Sequence, residues 1–197
     1  MKNEKKSGSI YEASFTKAAE ILRSSNPGHI CGICGTRSIP AGILVPYFNK
    51  EYTVKLPETT FEPPDLSIYE QILILHYLTT LENHTVKGEF ISFKNLPGAF
   101  FYDPTYKKRG PGQILSKFGN NIDLLAKAAE KIGGEKAEFG DVSVKLPVFP
   151  KIDAVVVLYR GDDEFGPDAN ILFKDDIINY LPLEDVAVLS GLIGSRL

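Results

Sequence analysis

Tryptophan is absent from this chain, methionine occurs once, and only two cysteines and three histidines stand among 197 residues. Two cysteines cannot build the disulfide framework of a small secreted domain. Three histidines leave little choice for a nucleophilic triad, and no Gly-x-Ser-x-Gly elbow accompanies them. An excess of one charge is also missing. The 22 Lys and Arg against 25 Asp and Glu leave a net −3, so no global field draws the chain to nucleic acid or an anionic membrane. The longest aliphatic runs, Ile72-Leu-Ile-Leu75 and Ala154-Val-Val-Val-Leu158, fall far short of the ~20 residues of a membrane span. A βαβ alternation with a glycine-rich phosphate loop is lacking, which removes Rossmann and P-loop readings. Residues 1–9 are charged and lead into no apolar stretch, so they read as a tail rather than a secretory signal. The expectation is a cytoplasmic protein with one domain over residues 10–197.

Aromatics supply what tryptophan does not: 12 Phe and 9 Tyr are enough large side chains for a core. Ile10 to Ser24 carries an apolar stripe at helical spacing, interrupted by Ser14 and Lys17, and Asn26-Pro27-Gly28 reads as its stop. A glycine-rich turn with both cysteines follows. Ile43-Leu-Val45 and Tyr52 to Leu56 flank Asn49-Lys50 as a β-hairpin, with Pro46 at an edge or a bulge. Pro57 to Pro64 reads as an extended linker. Leu66 to Leu81 is apolar nearly all round and therefore a buried helix, capped by Asp65 or Ser67 with Glu70 in its first turn. Short strands at Glu89–Phe93, Ala154–Tyr159 and Ala169–Phe173, a hairpin around Gly140-Asp141, and helices over 113–118, 121–132 and 183–192 complete the pattern. Hairpins mixed with segregated helices predict an α+β fold with a largely antiparallel or mixed sheet.

Four groups of residues carry chemistry. From Arg160 to Asp185 stand eight carboxylates. Such acids can hold a hard cation or split their pKa values as acid and base. The spacing is not that of an EF-hand, and charge runs are often solvated faces. Asp163 and Glu164, beside a Phe165 expected to pack, are the candidate catalytic pair of a metal-dependent enzyme. In His29-Ile-Cys-Gly-Ile-Cys-Gly35, Cys31 and Cys34 have the spacing of a zinc or iron knuckle, with His29 as a third ligand. A fourth ligand would come from elsewhere or from a second subunit, which makes a homodimeric interaction module the alternative. Two free thiols in a tight turn is the plain reading. His76 sits inside the buried helix as a core histidine whose partner is sought among the C-terminal acids. Finally, Phe100 to Gly112 interleaves rings and cations; Tyr102, Tyr106 and Arg109 join His76 as the expected lining of a small-molecule pocket between the sheet and the Leu66–Leu81 helix. Three clustered cations in a net acidic chain exclude nucleic acid.

The ordered set Leu75-His-Tyr-Leu78, Phe90-Ile-Ser-Phe-Lys-Asn-Leu-Pro97, Ile132-Gly-Gly134, Gly161-Asp-Asp-Glu-Phe165, Asn170-Ile-Leu-Phe173 and Tyr180-Leu-Pro-Leu-Glu-Asp185 resembles the domain of unknown function 3786 family from about Ile43 onward. That resemblance implies an uncharacterised protein of anaerobic bacteria or archaea. It also implies a ligand-binding or accessory role near corrinoid or one-carbon metabolism, with iron–sulfur or corrinoid proteins as partners. It brings no catalytic residues.

Overall fold

The computed structural model describes residues 2–82, 84 and 86–197, and their side chains except those of 2–9, 101, 103 and 105. Helix α1 (Lys2–Ser24) starts ahead of the expected Ile10. Met1 and the side chains of 2–9, where the tail is expected, lie outside the described residues. Asn26-Pro27-Gly28 is a start and not only a stop. The Asn26 side chain accepts from the His29 amide, Pro27 sits in the first turn, and α2 runs Pro27–Cys34 until Gly35 closes it at φ 66°. The cysteine turn expected from the sequence is therefore a short helix.

Strands β1 (Arg37–Ile39), β2 (Gly42–Tyr47), β3 (Lys50–Lys55) and β4 (Thr60–Glu62) form an antiparallel sheet in chain order. The β2–β3 turn holds Phe48 and Asn49 at φ 47° and 60°, the left-handed values a two-residue hairpin needs. Phe48 tolerates this because its amide donates to Val148 O at 3.1 Å and its ring packs on Tyr47 at 4.7 Å. Pro46 lies past the end of β1, whose pairing stops at Leu44, so its missing N–H costs nothing. The expected linker over 57–64 instead contributes β4, paired with β3 through Val54 and Phe61.

Helix α3 (Ile68–Thr79) is capped by Ser67, one of the two residues expected there, in a capping box with Glu70, and buries Ile72 to Leu75, Tyr77 and Leu78. Next come β5 (Phe90–Ser92), α4 (Asp103–Arg109), α5 (Pro111–Phe118), α6 (Leu124–Glu130), β6 (Glu135–Ala137), β7 (Val142–Phe149), β8 (Ile152–Tyr159), β9 (Asp168–Lys174) and α7 (Leu183–Arg196). The second sheet has the order β5-β9-β8-β7-β6, antiparallel throughout. Its central β8 is nearly all buried, which explains the unbroken Ala154–Leu158 run. Two antiparallel sheets and their helices share one apolar core, an α+β domain as expected. Helices α1, α3, α4 and α7 gather at one end, α1 on α3 and α4 on α7. No helix among the described residues is long and apolar enough to cross a membrane.

Candidate functional site

The helical end holds a cleft of about 530 Å³. Its lining joins Ser14 of α1, His76 of α3, Tyr102 of the 3-10 turn before α4, Arg109 of α4, and Glu184 and Asp185 of α7. The pocket therefore lies among helices, not between sheet and α3 as the sequence suggests. The reason is that α3 spends its sheet-side face on the core through Leu73, Ile74 and Tyr77. Only the flank bearing Ile72 and His76 reaches the cleft.

His76 is engaged through both ring nitrogens. Asp185 Oδ2 lies 2.5 Å from Nδ1, and Ser14 Oγ lies 3.3 Å from Nε2. The His76 and Asp185 side chains are only 22% and 14% exposed, which keeps the pair from full hydration. A carboxylate on Nδ1 holds the proton there and leaves Nε2 as the acceptor for the serine hydroxyl. Thr16, two residues on, returns its hydroxyl to Glu12 O in the ordinary way, whereas the Ser14 hydroxyl meets the imidazole. Above this group, Tyr102 donates to Glu184 at 2.7 Å, and that bond raises the phenol pKa. Tyr11 and Tyr69 meet edge to face at 4.7 Å. Ile10 and Tyr69 are exposed apolar surface at the rim, 63% and 42% accessible. Arg109 is exposed, with no carboxylate at ion-pair distance among the described residues.

Tyr106, expected beside Tyr102 and Arg109, faces elsewhere. It is buried, stacks on Phe93 at 4.2 Å and donates to Ile171 O at 2.8 Å. Tyr102 belongs to the preceding 3-10 turn, so the two rings do not share one helical phase.

The C-terminal acids disperse into local tasks. Asp162 accepts from the amides of Glu164 and Phe165 in a tight turn, and these two bonds lower its pKa. Asp163 and Glu164 are exposed on that turn, away from the cleft. Phe165, expected to pack, is 71% exposed, because Gly161, Gly166 and Pro167 turn the chain outward between β8 and β9. Asp175 accepts from the amides of Lys87 and Gly88. Burial raises the pKa of Asp176.

Cys31 and Cys34 sit one turn apart on α2, both buried, and His29 is exposed. Among the described residues, no group of three or more His, Cys, Asp and Glu is placed to hold a metal ion. The Cys34 thiol donates to Tyr77 O at 3.3 Å, while Tyr77 Oη donates back to Cys34 O at 2.5 Å. Burial, helped by Cys31, pushes the Cys34 pKa up from 9.0 to about 12. A raised folded pKa means that its contribution to stability is whole below pH 9.0 and is lost as the pH climbs toward 12. Tyr77, raised from 10.0 by the same burial, adds to the loss. Denaturant titrations at a series of pH values should show a midpoint that holds up to about 9 and then falls.

The partner of His76 is a C-terminal acid, as expected, and it is Asp185; Ser14 is the residue that sequence reasoning overlooks. The signal was a polar residue breaking the apolar stripe of α1 and a histidine on a buried helix: two polar groups on faces that had to meet.

The family model described as Domain of unknown function (DUF3786) matches residues 26–196. It takes in α2 and reaches back beyond the Ile43 expected from the motifs. His76, Arg109 and Asp185 fall inside the matched span, and Ser14 precedes it. No curated protein and no solved structure matches the chain.

Proposed function

The chain belongs to the domain of unknown function 3786 family, and within that frame we propose that the cleft among α1, α3, α4 and α7 binds a small, partly apolar molecule bearing an anionic group. The observation that carries this reading is the mixed lining. Arg109, a guanidinium with no carboxylate at ion-pair distance among the described residues, shares the cleft with exposed apolar surface from Ile10 and Tyr69 and with the His76–Asp185 pair. A cleft of about 530 Å³ lies within the usual range for small ligands, and a few convergent polar groups on an apolar wall are their usual signature. A guanidinium matches a carboxylate or phosphate through two parallel hydrogen bonds.

A role beside anaerobic corrinoid or one-carbon metabolism is the finer form of the proposal, and it rests on the family resemblance. The volume favours a small reactant of such a pathway over the corrinoid itself. A thermal-shift screen with cobalamin, haem, nucleotides, and small carboxylates and their thioesters tests both. A ligand at about 100 times its Kd adds ~2.7 kcal/mol, and about 2–4 °C per kcal/mol for this chain length gives a shift of roughly 5–10 °C. A carboxylate, or a thioester that carries a further carboxylate or phosphate, should give it, and Arg109→Glu should remove it. No shift with any of them, or an equal shift in Arg109→Glu, contradicts the reading.

A further inference from the structure

We propose that Ser14 is a nucleophile activated by His76 and oriented through Asp185, and that the cleft carries out acyl transfer from small esters or thioesters to water. The inference deepens the binding reading above and rests on the same cleft.

The connectivity is what the chemistry requires. Asp185 meets Nδ1 of His76 at 2.5 Å, and Ser14 Oγ meets Nε2 at 3.3 Å. A serine hydroxyl is a weak nucleophile until a base takes its proton, and an imidazole is that base only with Nε2 unprotonated. Asp185 on Nδ1 selects this tautomer. The 3.3 Å separation is slightly long, as catalytic hydrogen bonds often are before substrate closes on them. All three residues come from regular helices, whose backbones fix the geometry without loop rearrangement.

The reaction balances with water as the only co-reactant. Ser14 Oγ attacks the acyl carbon as its proton passes to His76 Nε2. The tetrahedral adduct collapses, the bond from carbon to the leaving oxygen or sulfur breaks, and His76 returns the proton to that atom. Water then attacks the acyl-serine, giving its proton to His76. The acid is released and the proton goes back to Ser14. Tyr11 and Tyr69 line the same cleft as Ser14, and their phenols are the nearest class of uncharged donor there for the developing oxyanion once substrate parts them. Arg109 holds the anionic end of the substrate, and Ile72 with the Ile10–Tyr69 rim takes the apolar acyl part.

Ser14 stands on α1, ahead of the family-matched residues, whereas His76 and Asp185 stand within them. The imidazole–carboxylate pair thus belongs to the matched domain, and α1 brings it the hydroxyl.

The test uses an alkyl fluorophosphonate, which phosphonylates activated serines, followed by intact and peptide mass spectrometry of the full chain. The expected result is a single adduct on Ser14, absent in Ser14→Ala. His76→Gln should slow labelling by about 100-fold, the lower range for loss of a general base. Asp185→Asn, which favours the wrong tautomer, should slow labelling, by less than His76→Gln does. Unchanged melting temperatures show that the variants remain folded. No adduct on Ser14, or labelling at the same rate in folded His76→Gln, overturns the proposal. A stabilising ligand with no adduct sinks this inference and leaves the binding reading standing. An adduct on Ser14 with no stabilising ligand does the reverse.

Discussion

Tyr77→Ala is expected to cost about 5 kcal/mol, close to the whole stability of many domains of this size. Tyr77 is fully buried on α3 and stacks on Phe149 at 4.2 Å and 10°. Truncating a buried aromatic ring costs ~3–5 kcal/mol through lost transfer energy and the cavity left behind. The hydroxyl adds a second loss. It donates to Cys34 O at 2.5 Å and accepts from Lys151 N at 3.2 Å, so it ties α2, α3 and the β7–β8 turn together. Without it, two backbone groups lose a partner, at ~1–3 kcal/mol for each that stays dry. Tyr77→Phe separates the terms: it keeps the ring and should cost only ~1–3 kcal/mol. Urea unfolding of the three proteins checks this. Equal midpoints for Tyr77→Phe and Tyr77→Ala would show that the ring packing contributes nothing.

Arg196→Ala is expected to cost about 3 kcal/mol. The Arg196 guanidinium contacts Glu70, whose side chain is 11% exposed, and lies 5.0 and 4.8 Å from the Tyr47 and Phe48 ring centres. Burial alone would raise the Glu70 pKa, but hydrogen bonds from Arg196 and Ser67 outweigh it and hold the carboxyl below its usual value. Removing one partner of a mostly buried pair leaves an uncompensated charge, at ~3–5 kcal/mol when burial is complete. Arg196 is itself 26% exposed, which places the cost at the lower end. The double variant Arg196→Met with Glu70→Gln should recover most of it, since it removes both charges and keeps a side chain able to complete the capping box with Ser67. A double variant no more stable than Arg196→Ala would show that ring stacking, not the ion pair, carries the effect.

Much of the scaffold was legible because local chemistry and tertiary demand agree there. Ser67 and Glu70 announce the start of α3, and Asn49 announces the hairpin turn. The aliphatic Ala154–Leu158 run is a strand covered on both faces. The failures share one cause: residues with two local meanings. Asn26-Pro27 ends one helix and begins the next. Prolines at 57, 63 and 64 suggest a linker yet flank a strand. Aromatics signal burial in general, but Phe165 sits in a Gly-Pro turn that leaves it outside. The site itself was half legible. His76, Tyr102 and Arg109 stood out by type, but Ser14 and Asp185 lie 62 and 109 residues from His76. Asp185 was one of several C-terminal acids among which the partner of His76 was sought. Only the packing of α7 beside α3 singles it out.

The scarcity of histidine offers the most direct test of the cleft. The only imidazoles are those of His29, His76 and His84, and the first and last are exposed and outside the cleft. In ¹⁵N-edited NMR of the imidazole groups, titration with the small carboxylate or thioester that most stabilises the protein should shift the His76 resonances and leave the other two in place. Saturation of binding with His76 unmoved would contradict the account.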